Sequence, residues 1–325
     1  MDLKVFVTRR IPEPGLDILR REIKNVGINL EERGLKRMEF IKKIADADGL
    51  LCMLSDPMDK EVIASTCRLK GIAIYAVGYN NIDVTEATRR GIPVCNTPGV
   101  LTDATADIAW ALLMACARRI IEGDEMMRKG EFHGWSPMLL LGSDIAGKTL
   151  GIVGAGRIGT AMALRSKGFS MKVLYCSRHN NEVIESQLGA KRVDKDKLIR
   201  ESDYISLHVP LTDETKHFIA ARELEMMKRT AFIINTSRGP VVDEAALADA
   251  LKTGKIAGAG LDVFEKEPEI HPGLIGLKNV VLLPHLGSAT VETRTRMAVM
   301  AVEDLVAVLK GDRPKNCVNP EVFMR

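Results

Sequence analysis

The stretch TLGIVGAGRIG, residues 149–159, decides how the chain is read. Thr149–Val153 is a short run of apolar and β-branched residues, the pattern of a strand buried on both faces. Gly154, Ala155, Gly156, Arg157, Ile158 and Gly159 follow, and the sequence then turns helical over Ala161–Lys167. In such a strand–turn–helix the first glycine allows a tight turn. The second lets backbone approach a pyrophosphate, and the third lets the helix pack close on the strand. The helix N-terminus adds free N–H groups and the positive end of its dipole. These six residues are therefore read as a dinucleotide-binding turn.

Working outward, the chain keeps alternating strand and helix. Strands are expected downstream at Val173–Cys176, Tyr204–His208, Phe232–Asn235, Ala257–Asp262 and Val280–Pro284. Upstream they are expected at Lys4–Thr8, Gly49–Leu54, Ile72–Val77 and Pro93–Asn96, with helical stretches such as Gly15–Val26 between them. Near-continuous apolar strands alternating with helices predict parallel sheets covered on both faces. Residues 100–130 read as one long helix, capped by Thr102 or Asp103 and stopped at Gly130. It is too apolar for a surface helix and is expected to be buried between domains or against a second subunit. The last helix, Thr290–Lys310, is expected to return to the first domain. At 325 residues the chain exceeds one ordinary core. The reading is an α/β protein of two Rossmann-like or flavodoxin-like domains. Residues 1–98 and 287–325 form a discontinuous substrate-binding domain, and residues 99–286 a dinucleotide-binding domain.

Composition narrows the class. Forty-six basic against 43 acidic residues leave a net charge of +3 with no basic block, so no nucleic-acid partner is expected. The most apolar stretch, Ile108–Ala117, is far short of the roughly 20 residues that span a bilayer. The opening MDLKVFVTRR carries no secretory or transit pattern, and a cytoplasmic location is expected. Cys52, Cys67, Cys95, Cys116, Cys176 and Cys317 include no C-x-x-C pair, which favours free thiols over disulfides or a metal site.

Three polar residues stand at the ends of successive strands. Arg238 follows AFIINTS, Glu267 follows AGAGLDVFEK, and His285 ends VVLLPH. Open parallel sheets bind ligands beyond the carboxyl ends of their strands. Each residue also has a plain reading: a helix start, one of three solvated acids with Glu265 and Glu269, and a satisfied strand-end histidine. Taken together after a dinucleotide turn, they suit hydride chemistry on a keto acid. Arginine offers a planar fork to a carboxylate, histidine exchanges the hydroxyl proton, and a carboxylate behind the ring favours its protonated form. The second strand of the unit ends in Ser177, Arg178 and His179, where NAD-preferring units carry an acid that holds the ribose hydroxyls. A cation in place of that repelling charge favours NADP(H), with NAD(H) usable. The alternative is that Arg178 is a solvated loop residue and the site merely permissive.

The motifs GIVGAGRIG, INTSRGPVVDE, AGAGLDVFEKEP and LLPHLGSAT, in this order, resemble the D-isomer-specific 2-hydroxyacid dehydrogenase family over essentially the whole chain. CMLSDPMD, YAVGYNNID, VLTDATAD and LYCSR resemble its glyoxylate/hydroxypyruvate reductase branch. The resemblance implies Arg238 as carboxylate binder, His285 as acid/base and Glu267 as its partner. It places Val209, Pro210, Thr236, Ser237, Asp262, Leu286 and Gly287 on the cofactor side. Leu54, Ser55, Val77 and Gly78 would join Arg238 and His285 around a small keto acid, and Trp135 would reach the neighbouring subunit of a homodimer. The implied activity is reduction of glyoxylate, and of hydroxypyruvate, to the 2-hydroxy acid. The alternatives are a dehydrogenase for a larger acid such as phosphoglycerate with NAD, or a nucleotide-sensing regulatory module.

Overall fold

Two parallel sheets organise the computed structural model, which describes residues 3–31 and 33–324. They belong to two units. One comprises the chain up to Leu101 together with the residues from Ala289 onward, and the other is Thr102–Ser288.

The first unit holds β1 (Lys4–Val7), β2 (Asn25–Ile28), β3 (Gly49–Cys52), β4 (Gly71–Ile74) and β5 (Val94–Cys95), in the order β2-β1-β3-β4-β5. Every residue of β3 and β4 is buried, because helices cover both faces of the sheet. The helix Val291–Lys310 is capped by Thr290, whose hydroxyl accepts the Thr293 N–H at 3.0 Å. It packs on the helix Glu13–Glu22 and on β3 and β4. Ala298, Ala301, Val302 and Leu305 thereby join Val5, Leu16, Leu19 and Leu51 in one core.

The second unit holds β6 (Thr149–Val153), β7 (Lys172–Cys176), β8 (Lys191–Arg192), β9 (Tyr204–Leu207), β10 (Phe232–Asn235), β11 (Gly258–Leu261) and β12 (Val280–Leu282). Their order is β12-β11-β10-β9-β6-β7-β8. The winding reverses between β6 and β9, and the crevice beyond their carboxyl ends is where such sheets take a ligand. The glycine turn leaves β6 at that point.

Three local expectations need correction. The helix expected over Gly15–Val26 stops at Glu22, and Asn25–Ile28 pairs with β1 instead. As a half-exposed edge strand, β2 lacks the apolar run that marks a buried one. The helix expected over residues 100–130 is two helices, Thr102–Ala117 and Ile120–Arg128. The Ala117 carbonyl accepts the Ser143 N–H at 2.8 Å from a returning loop, and Arg119 turns left-handed with φ 53°. The apolar faces of Thr102–Ala117 are buried inside their own unit. Trp110 stacks on Phe169 and donates to the Met162 carbonyl at 2.9 Å, while Leu112 and Leu113 lie in the same core as Phe232 and Ile234 of β10. Among the described residues no helix is long and apolar enough to cross a membrane.

Candidate active site

The turn after β6 shows whether a dinucleotide fits. Gly154 has φ 91°, and a side chain there would strike the His208 carbonyl and Val209 after β9. A Cβ at Gly159 would fall 2.1 Å from the Gly154 carbonyl oxygen. Packing therefore dictates both. At Gly156, which caps the helix Arg157–Arg165, a Cβ would meet no atom of the described residues within 4 Å beyond its own chain neighbours. Its open face is the approach that a pyrophosphate requires, and the N–H groups of Arg157 and Ile158 begin the helix there. Ala155 lends its carbonyl to Asn181 Nδ2 at 2.9 Å, and the same amide reaches Thr160 Oγ1 at 2.7 Å. Asn181 was not singled out from the sequence; it ties the glycine turn to the loop after β7. His208 touches Ser206 Oγ at 2.9 Å, and burial pushes its imidazole down to about 3, so it stays neutral.

That loop carries Ser177, half-buried, with Arg178 and His179 exposed. Arg192 of β8, a residue the sequence did not mark, wraps it. Its guanidinium donates to the Ser177 carbonyl at 3.0 Å, the Arg178 carbonyl at 2.9 Å and Asn180 Oδ1 at 2.9 Å. Arg192 fixes the backbone while leaving the Arg178 side chain outward. Across the crevice mouth, Val209 abuts Gly154 and the Pro210 carbonyl accepts from Thr215 Oγ1 at 2.6 Å.

Beyond β10 the chain makes a buried turn. Asn235 Oδ1 accepts from both the N–H and the hydroxyl of Ser237, at 3.0 and 2.8 Å, and its Nδ2 donates to the Arg238 carbonyl at 3.0 Å. Thr236 Oγ1 is buried with no hydrogen-bond partner among the described residues, an atom that a ligand's polar group can satisfy. Arg238 donates to the Ser237 carbonyl at 2.6 Å, and burial makes its guanidinium a weaker base than usual despite the attraction of Glu267.

Glu267 and His285 meet. His285 Nδ1 lies 2.9 Å from Glu267 Oε2, and Glu267 Oε1 accepts the Phe264 N–H at 3.1 Å. Burial opposes ionisation of Glu267, but His285, the Phe264 N–H and Arg238 outweigh it and hold the carboxyl below its usual range. His285 has φ 56°, a left-handed backbone rare outside glycine. The turn after it is clamped by Asp262, whose two oxygens accept the N–H groups of Leu286 at 2.6 Å and Gly287 at 2.7 Å. Thr105 Oγ1 then donates to the Gly287 carbonyl at 3.0 Å. Burial pushes the Asp262 carboxyl up, against the two N–H bonds that favour its charge.

The remaining candidates lie apart from this set in the chain. In the first unit, Leu54 and Ser55 sit on a loop held by Asp56, which is buried, accepts the Met53 N–H at 2.8 Å and bonds the Thr8 hydroxyl. Asn81 donates to the Met53 and Asp56 carbonyls at 3.1 and 2.8 Å. Asn96 Nδ2 donates to the Val77 carbonyl at 2.7 Å and so holds the Val77–Gly78 stretch. In the second unit Trp135 is 82% exposed and is not an anchor within its own subunit.

Residues 110–287 match the family model for the D-isomer specific 2-hydroxyacid dehydrogenase NAD binding domain. A glyoxylate reductase of Thermococcus litoralis is 52% identical, with 99% of this chain and 98% of that protein covered. One of Korarchaeum cryptofilum is 53% identical, covering 99% and 97%. The chain belongs to the D-isomer specific 2-hydroxyacid dehydrogenase family. It is a 2-hydroxyacid dehydrogenase with a nicotinamide cofactor. A crystal structure of an NADPH-dependent glyoxylate/hydroxypyruvate reductase from Sinorhizobium meliloti, in complex with NADP and malonate, matches with a TM-score of 0.85. It is 31% identical, with 98% of each chain covered.

Proposed function

We propose that this dehydrogenase reduces glyoxylate, and also hydroxypyruvate, to the 2-hydroxy acid, with NADP(H) preferred over NAD(H). The observation that carries the reading is the His285–Glu267 pair at 2.9 Å, with Arg238 close enough to act on the charge of Glu267. When bound, the nicotinamide supplies the hydride that the keto carbon accepts. Arg238 holds the substrate carboxylate through its planar fork, in surroundings dry enough to strengthen that pairing. His285, fixed at Nδ1 by Glu267, presents Nε2 to the substrate and protonates the developing alkoxide. Glu267 keeps the ring oriented and balances its charge. Asp262 positions the turn that carries His285. The first unit, which carries Leu54, Ser55, Val77 and Gly78, is the substrate-binding domain of this reading, and the second is the dinucleotide-binding one.

The cofactor preference rests on Ser177, Arg178 and His179, the outward face that Arg192 leaves free, and the absence of an acid at the end of β7. The Sinorhizobium relative, named NADPH-dependent, lends support. A charge-assisted hydrogen bond is worth roughly 1.5–3 kcal/mol, or about 10- to 100-fold in favour of NADPH. A homodimer is part of the same reading. Ile120, Ile121, Met127, Phe132, Trp135, Met138 and Leu141 leave large apolar side chains exposed along one stretch of chain, as a subunit interface requires.

The test is a steady-state panel of glyoxylate, hydroxypyruvate and phosphohydroxypyruvate with NADPH and NADH. Glyoxylate with NADPH should give the highest kcat/KM, and the double substitution Ser177→Asp, Arg178→Ala should reverse the cofactor order. Equal kcat/KM values for NADPH and NADH would reject the preference, and no turnover of any acid would reject the reaction.

A further inference from the structure

Past its last helix, the chain lays a short segment along the open edge of the first unit's sheet, next to β5. There Cys317 stands opposite Cys95 in an antiparallel bridge. The backbone bonds flank the pair: the Asn96 N–H donates to the Asn316 carbonyl at 3.3 Å, and the Val318 N–H to the Val94 carbonyl at 2.7 Å. Cys95 and Cys317 are thus a non-hydrogen-bonded pair. In that register facing Cα atoms approach to about 4.5 Å and side chains come nearest. A disulfide needs Cα atoms about 4.4–6.8 Å apart, so the register already meets the requirement. The Cys317 thiol, as it stands, donates to Asn319 Oδ1 at 3.5 Å.

The facing is not a chance approach of a loose tail. Asp304 accepts the Lys315 N–H and Asn316 Nδ2, both at 2.8 Å. Asn319 Oδ1 accepts the Val94 N–H at 2.8 Å, and its Nδ2 donates to Thr88 Oγ1 at 2.9 Å and the Ile92 carbonyl at 3.0 Å. The segment is pinned on both sides of Cys317.

We propose that Cys95 and Cys317 form a reversible disulfide that staples the carboxyl-terminal segment to β5. Cys317 is half-buried and Cys95 is 1% exposed, so Cys317 is the thiol that a small reagent reaches. Interaction between the facing thiols lowers that of Cys317 and raises that of Cys95, which burial raises further. The Cys317 thiolate attacks one sulfur of a low-molecular-weight disulfide, breaks its S–S bond and releases one thiolate. Cys95 passes its proton to that departing thiolate and attacks Cys317 Sγ, displacing the second thiol. Two protein thiols lose two electrons in all, and one small disulfide becomes two thiols. The bond closes a loop from residue 95 to residue 317, and long loops restrict the unfolded chain most.

The test uses the purified full chain, equilibrated with glutathione disulfide or with dithiothreitol, then alkylated and mapped by peptide mass spectrometry. Exposed Cys67 reports that the oxidant has acted. The expected result is a Cys95–Cys317 linked peptide, lighter by two hydrogens than the free pair and reversed by dithiothreitol. The oxidised protein should unfold roughly 5–15 °C higher, and Cys317→Ser and Cys317→Ala should each abolish that gain. If Cys317 stops as a mixed disulfide, or both cysteines are alkylated while Cys67 has reacted, the proposal fails. A linked peptide without any rise in unfolding temperature would overturn the stapling role.

Discussion

Asp262→Asn changes almost no volume and removes one function. Asp262 is 1% exposed, and each of its oxygens accepts a backbone N–H, from Leu286 at 2.6 Å and Gly287 at 2.7 Å. An asparagine accepts with one oxygen only, and its Nδ2 then faces the other N–H, donor against donor. A hydrogen bond to a charged group is worth about 1.5–3 kcal/mol, and a buried N–H left unpaired costs about 1–3 kcal/mol. The two overlap. Burial already pushes this carboxyl up, so removing its charge returns part of the loss. A net destabilisation of about 2–4 kcal/mol follows, or a fall of roughly 4–15 °C in the unfolding temperature of a unit this size. The turn carries His285, and a displacement of about 1 Å at a catalytic group costs up to about 100-fold. The kcat for glyoxylate with NADPH should therefore fall about 10- to 100-fold. The family resemblance puts Asp262 on the cofactor side, but both its oxygens are taken by the Leu286 and Gly287 N–H groups, so the dissociation constant for NADPH should change less than about 3-fold. Calorimetry, steady-state kinetics and a cofactor titration read the three quantities. Unchanged kcat and unfolding temperature would refute the clamp, and a loss confined to NADPH affinity would mean that the carboxylate serves the cofactor instead.

Two further substitutions follow from the same geometry. Arg238→Lys replaces a planar fork by a point charge, and should raise the glyoxylate KM about 10- to 100-fold with little change in NADPH affinity; an unchanged KM would place the carboxylate elsewhere. Glu267→Gln removes the charge that holds and orients the His285 ring at Nδ1, so kcat for glyoxylate should fall about 10- to 100-fold with NADPH affinity little changed, and an unchanged kcat would remove Glu267 from this role. Glu267 also bears on acid stability. Its folded carboxyl sits below the unfolded value of about 4.3, so its contribution is present above that pH and is lost as pH falls through the lower folded value. Acid titrations of both proteins should show this loss in the parent and not in the variant, and superimposable acid transitions would contradict it.

The glycine turn and the strands around it were legible because they are local: a buried parallel strand writes an apolar run, and a tight turn writes glycine. Phe232–Asn235 and the arginine after it could be read from a dozen consecutive residues. What escaped depends on contacts between distant stretches. The break at Arg119 is imposed by Ser143, which takes the Ala117 carbonyl. Asp262 carries no sign in its own neighbourhood that both its oxygens serve residues 286 and 287. Arg192 lies on a short exposed edge strand, where nothing local marks a side chain that wraps a loop fourteen residues earlier. Edge strands β2 and β8 were missed for a related reason: an exposed strand needs no apolar run.

In the proposed reaction, hydride passes to the keto carbon of glyoxylate while His285 protonates its oxygen. The most direct measurement supplies glyoxylate and NADPH carrying deuterium at both C4 positions, and reads the product by mass spectrometry. The expected product is glycolate with one deuterium on its hydroxyl-bearing carbon, formed in step with NADPH oxidation. Glycolate without deuterium, or NADPH oxidation without glycolate, would contradict this reaction.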